Sequence, residues 1–346
     1  MNHEIEAYFA LLCETPPSFL SEYLQAPEIQ RLKGIGLFCG TDYSKLYDHK
    51  YFFSRFDHSY ATALIVWNFT KNESQCIAAL LHDIATPVFS HSVDFMNGDS
   101  MTQTSTEANT RAKIASSGHI MRLLARDGIG LPSVEDYHIY PIADNEMPRL
   151  SSDRLEYTLS TMLAWQKKWS IDDIRGMYRN IRVCVNEDNV PELGFIDLDA
   201  AERFMEGACA NAISFQRNDN KLSLSMLGDI LKLAIQANAV EPDELYALTE
   251  PQLIQRLDAS GHPGLRKAWQ AYTRLSQVFG SDTKPESGYV VHLSAKRRYI
   301  DPLVQSGERA VRATEASQRA EKLVRSALEY ADKAYAYIDP GFDRIV

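Results

Sequence analysis

Two histidines and two aspartates, His58, His82, Asp83 and Asp153, are the residues of this sequence best placed to do chemistry. His82 and Asp83 are adjacent and close the apolar run Cys-Ile-Ala-Ala-Leu-Leu at 76–81. Burying such a polar group without a partner costs roughly 2–7 kcal/mol, so something must compensate it, and a divalent cation would do so. Two imidazoles with two carboxylates suit one ion of Mn, Fe, Ni, Co, Zn or Mg and are poor for Ca²⁺, which prefers oxygen throughout. A lone histidine on an apolar helix face is more often a satisfied core residue, and spacing alone does not separate the two readings.

These four residues need elements to bring them together. Residues 59–69 carry Ala61, Leu64, Ile65, Trp67 and Phe69, a density that predicts a helix buried on most sides with His58 at its entrance. A second helix is expected over 75–84, ending near Pro87. Ser151 and Ser152 are plausible N-caps for a third, beginning at Asp153. Three helices converging on one point is how helical metal proteins build an interior site. Further helical stretches are expected at 5–12, 112–125, 171–185, 200–215 and 222–237, with 97–110 as a polar loop. The β-branched and aromatic segment at 288–300 predicts a short strand or hairpin, and 306–337 a long terminal helix. The expectation is an all-α chain: an N-terminal segment (1–50), a core (51–200) and a C-terminal helical region (201–346).

The wording around the four residues carries a resemblance. Arg55-Phe56-Asp57-His58, Leu80-Leu81-His82-Asp83-Ile84, Phe89-Ser90-His91 and Ser152-Asp153-Arg154-Leu155-Glu156-Tyr157 occur in the order found in the HD superfamily of metal-dependent phosphohydrolases. The similarity is greatest to the subgroup containing the deoxynucleoside triphosphate triphosphohydrolases. It covers about residues 50–160, with a weaker echo in Lys-Arg-Arg-Tyr-Ile-Asp-Pro at 296–302.

The resemblance implies an HD-domain helical core in which His58, His82, Asp83 and Asp153 hold the metal. It implies that Arg55, Arg154 and Tyr157 meet phosphate, a role that a planar guanidinium suits. Asp57 and Glu156 are the competing partners for the two arginines. Asp94, with His91, matches the acid/base machinery, but Thr86 and Thr106-Glu107 stand where that subgroup has further histidines. A missing general acid is worth roughly 10²–10⁴ in rate. The implied activity is metal-assisted hydrolysis of a nucleotide or a related small phosphate ester. The alternatives are a dNTP triphosphohydrolase and a catalytically weak, nucleotide-binding regulatory module. His119 and His138 match no second-metal motif and read as ordinary surface or helix histidines.

Composition narrows the partners. A net charge of −10 argues against an extended nucleic acid or an anionic membrane surface, because both require clustered cations. Five singly scattered cysteines without a CxxC read as reduced thiols of a cytoplasmic protein. The expected partner is a small phosphorylated substrate, with a homo-oligomer possible.

Overall fold

The helix that carries His58 runs Arg55–Thr70 and is started by a reciprocal cap. Ser54 Oγ accepts the Asp57 amide at 3.1 Å, and the Asp57 carboxylate accepts the Ser54 amide at 2.9 Å. Lys71, at φ 52°, ends it in the left-handed region. The chain re-enters a helix at Glu73–Leu81, capped by Asn72, and this helix delivers His82 and Asp83 just past its last turn. Ser151 caps the third, Ser152–Ser160, which continues as a wider turn over Thr161–Trp165. In this computed structural model residues 2–102, 109–307 and 309–346 are described. Residues 103–108 of the expected loop at 97–110, with Thr106 and Glu107, lie outside the described residues.

The core is helical, but the chain is not all-α. Two small sheets occur among the described residues. The expected helix at 171–185 stops at Tyr178, and Ile181–Val185 (β1) turns through Asn189 into Pro191–Phe195 (β2). Strands Phe279–Ser281 (β3) and Tyr289–Val291 (β4) follow, so only three residues of the 288–300 segment form a strand. The single long helix expected over 306–337 is replaced by Arg309–Arg312 (β6), a short helix, Gln318–Glu329 and Tyr335–Ile338 (β7). Tertiary pairing overrides helical composition here. β6 returns on Leu303–Ser306 (β5) through Gly307, and β7 sits between β3 and β4.

The larger sheet has the order β1-β2-β5-β6, with β2 and β5 parallel at Gly194↔Leu303. A Cβ at Gly194 would lie 2.8 Å from the Leu303 carbonyl oxygen, so the close approach of β5 requires glycine. The expected helix at 112–125 is two, Thr110–Ser116 and Gly118–Asp127, divided where Ser117 caps the second. Helices at Glu250–Ala259 and Pro263–Arg274 complete the C-terminal region.

Two apolar cores flank the His58 helix. Ala63 and Val66 face one core, with Leu80, Leu81, Leu227 and Trp269. Ala61, Leu64 and Ile65 face the other, with Tyr8, Leu155, Leu159 and Phe204. Burial on both sides explains why this helix lacks a polar face. No helix among the described residues is long and apolar enough to cross a membrane.

Candidate metal centre

His58, His82 and Asp83 offer ligand atoms that all lie within 4.8 Å of one another, and Asp153 adjoins them through the two histidines. His58 Nε2 lies 3.2 Å from His82 Nε2, 3.7 Å from Asp83 Oδ2 and 3.0 Å from Asp153 Oδ1. His82 Nε2 lies 3.5 Å from Asp83 Oδ2 and 3.7 Å from Asp153 Oδ1. His58, His82 and Asp83 are buried, while Asp153 keeps 21% of its side chain accessible and opens the cluster to one side.

The other ring nitrogens decide what this cluster can hold. His58 Nδ1 is hydrogen-bonded to the buried carboxylate of Glu156, and His82 Nδ1 to the Ala79 carbonyl at 2.7 Å. With both Nδ1 atoms donating, both neutral rings turn Nε2 lone pairs toward the same point as the two carboxylate oxygens. Four acceptors facing one another require a cation between them or a proton shared among them. A divalent ion fits this donor set, with Glu156 and Ala79 fixing the ring orientations from behind.

Electrostatics agree with that arrangement. Burial opposes a charge on His58, but Glu156 and Asp153 outweigh it and raise its pKa to about 10. Burial likewise opposes ionisation of Asp83, yet Arg55 and the two histidines hold its carboxyl far below the ordinary range. Asp153 is lowered to about 2, chiefly by His58 against the cost of burial. The carboxylates are therefore ionised at neutral pH, and a proton occupies His58 in the metal-free cluster.

The remaining expected site residues take more specific places. Arg55 does not pair with Asp57, which is used in the helix cap. Its NH1 donates to Asp83 Oδ2 at 2.8 Å and its Nε to Ser90 Oγ at 3.2 Å, inside the protein. Arg154 does not pair with Glu156; it donates to Asn145 Oδ1 at 2.6 Å and lies 3.1 Å from Asp144. Tyr157 is half-buried against the second core, and burial raises its hydroxyl pKa while Arg298 and Arg154 oppose the rise. His91 Nδ1 lies 2.9 Å from Asp94 Oδ2; burial lowers the imidazole pKa, with Arg298 and Arg55 reinforcing it and Asp94 opposing. The Thr86 hydroxyl donates to Asp83 Oδ1 at 2.9 Å.

Sequence reasoning passed over Glu156 as anything but a partner for Arg154. Its i, i+3 spacing from Asp153 was the available signal, since both then share one helix face. Tyr137 was also missed: its ring stacks on His82 at 4.7 Å between centroids. Of the basic cluster, Arg297 is tied to the Leu328 and Tyr330 carbonyls, whereas Arg298 acts electrostatically on both His91 and Tyr157. His119 meets the Glu22 carbonyl, and His138 lies 3.4 Å from Asp144.

Fold and site together define a helical protein with a buried His/Asp cluster suited to one divalent ion. No protein-family model matches the chain. It is 24% identical over 322 residues to the uncharacterized protein YdhJ of Bacillus subtilis, covering 91% of this chain and 92% of that one. It is 22% identical over 286 residues to the metal-dependent phosphohydrolase Cns2 of Cordyceps militaris, covering 82% and 79%. Among solved structures, a phosphohydrolase from Bacteroides thetaiotaomicron superposes with a TM-score of 0.60 at 16% identity, over 94% of this chain and 96% of that one. A hypothetical protein from Aquifex aeolicus gives a TM-score of 0.60 at 17% identity, over 94% and 93%. The fold is shared along nearly the whole chain.

Proposed function

We propose that this protein is an HD-type, metal-dependent phosphohydrolase acting on a nucleotide or a related small phosphate ester. One observation carries the reading: two imidazole Nε2 atoms and the Asp83 carboxylate converge, with Asp153 against both imidazoles and both Nδ1 atoms already engaged. The names of the Cordyceps relative and the Bacteroides neighbour support the same chemistry. A bound divalent ion would supply Lewis-acid activation of water and of a phosphoryl oxygen.

The chain's own residues supply the rest. Arg55 holds Asp83 in place from behind, and Asp144 and Asn145 hold Arg154 at the Asp153 edge. His91, kept neutral near pH 7, donates its Nδ1–H in a hydrogen bond to Asp94 and presents Nε2 as a base. Arg298 acts electrostatically on both His91 and Tyr157, and a guanidinium beside a tyrosine suits phosphate binding.

A second reading, a nucleotide-binding module with weak turnover, draws on Thr86, whose hydroxyl is committed to Asp83 where an acid/base imidazole would otherwise stand. The experiment is incubation with Mn²⁺, Ni²⁺ or Mg²⁺ and dNTPs, nucleoside monophosphates, cyclic nucleotides and an aryl phosphate, with Asp83→Asn as control. Orthophosphate or an opened phosphodiester, lost in the control, supports the first reading. Free triphosphate identifies a dNTP triphosphohydrolase. Tight binding without turnover favours the regulatory module.

A further inference from the structure

Glu250 lies far from the metal ligands in sequence and is completely buried. It is the first residue of the helix Glu250–Ala259, a position where a carboxylate ordinarily faces solvent and the helix dipole. Here it turns inward. Oε1 accepts the Phe89 amide at 3.1 Å and Oε2 accepts the Tyr43 hydroxyl at 2.9 Å, with a further backbone hydrogen bond from Gly36.

The segment it grips is unusual. Phe89 and Ser90 have φ of 56° and 46°, consecutive left-handed conformations in non-glycine residues, which persist only where surroundings enforce them. That corner sets Ser90, whose hydroxyl receives Arg55 Nε and donates to the Gly36 carbonyl at 3.3 Å. Arg55 in turn holds Asp83 Oδ2, the atom that faces both histidine Nε2 atoms. His91 and Asp94 follow directly. Neighbouring contacts clamp the same loop: Val88 N–H donates to the Leu245 carbonyl, and Arg31 bridges the carbonyls of Thr86 and Leu248.

We propose that Glu250 is a positioning residue of the metal centre, fixing the Phe89–Ser90 corner so that Ser90 and Arg55 orient Asp83. The inference rests on the reading of the four-residue cluster as a metal site. The role is geometric, needing two acceptor atoms at this reach. Burial raises the Glu250 carboxyl pKa to about 8, and whether ionised or neutral the carboxyl accepts through both oxygens, whereas glutamine keeps only one acceptor oxygen.

The test is Mn²⁺ affinity of the full chain by calorimetry, with folding checked by circular dichroism. Glu250→Asp, one methylene short, should weaken Mn²⁺ binding by about tenfold, the scale seen for partners behind metal ligands. Glu250→Gln keeps the length and one acceptor oxygen for the Phe89 amide, and should weaken Mn²⁺ binding less than Glu250→Asp. A folded Glu250→Asp protein with wild-type affinity, or an equal loss in Glu250→Gln, overturns the proposal. If Glu250→Asp does not fold, Ser90→Ala breaks the chain at its next link and should weaken Mn²⁺ in the same direction; unchanged affinity there overturns it equally. Asp83→Asn separates the two ideas, since Mn²⁺ binding that survives it removes the metal reading itself.

Discussion

Glu156, three residues beyond Asp153 on the same helix, receives the Nδ1–H of His58 from behind the cluster. Its other oxygen accepts the Tyr8 hydroxyl at 3.0 Å, while the Ser160 hydroxyl donates to the oxygen facing His58 at 3.3 Å. The carboxylate thus fixes both the tautomer and the ring plane of the proposed metal ligand His58. Glu156→Gln keeps the shape but can offer His58 an amide N–H in place of an acceptor. We expect a loss of about 10–100-fold in metal affinity or activity, measured by Mn²⁺ titration, with the helical circular dichroism retained.

Metal affinity should rise with pH. The His58 pKa is raised above its usual 6.5 to about 10, so across neutral pH the ion must displace a proton from it. The sign for metal-free stability follows from the same shift. The contribution of the His58 ion pairs is fully present below about 6.5 and is lost as pH rises through about 10. Calorimetry in buffers of different ionisation heat should record about one proton released per ion bound near pH 7. A value near zero would remove His58 from the ligand set.

Arg55 and Asp83 form a buried pair, with 8% and 4% of their side chains accessible. Removing one partner leaves the other charged in the interior, at a cost of about 3–5 kcal/mol. Asp83→Ala should therefore destabilise metal-free protein by that order in urea unfolding. Adding Arg55→Met should recover part of the loss. Additive losses would show that the pair is not coupled.

Arg312 on β6 makes a similar commitment in the larger sheet. It donates to Glu192 Oε1 at 2.7 Å and Oε2 at 2.9 Å and binds Glu187 through both oxygens. Glu192 is completely buried and also accepts the Leu150 amide, next to the Ser151 cap of the Asp153 helix. Arg312→Ala should cost about 3–5 kcal/mol, read as a lowered melting temperature. Some loss of Mn²⁺ affinity should accompany it, because the cap that presents Asp153 loosens.

What the sequence determined by itself was local or written as short words. The His58 helix, the helix before His82-Asp83 and the Ser151 cap follow from apolar density and capping chemistry, which act within a few residues. The four candidate ligands were legible because their residue types and order are informative even before their distances are known. Tertiary structure decided the rest. Residues 306–337 have helical composition, yet β6 and β7 become strands because β5, β3 and β4 offer them edges to pair with. Arg55 and Arg154 looked alike in sequence, but one is turned onto Asp83 and the other onto Asp144. Glu250 had no sequence signal at all: its significance lies in a buried contact with Phe89, 161 residues away, and only the folded chain brings that amide within reach of its carboxylate.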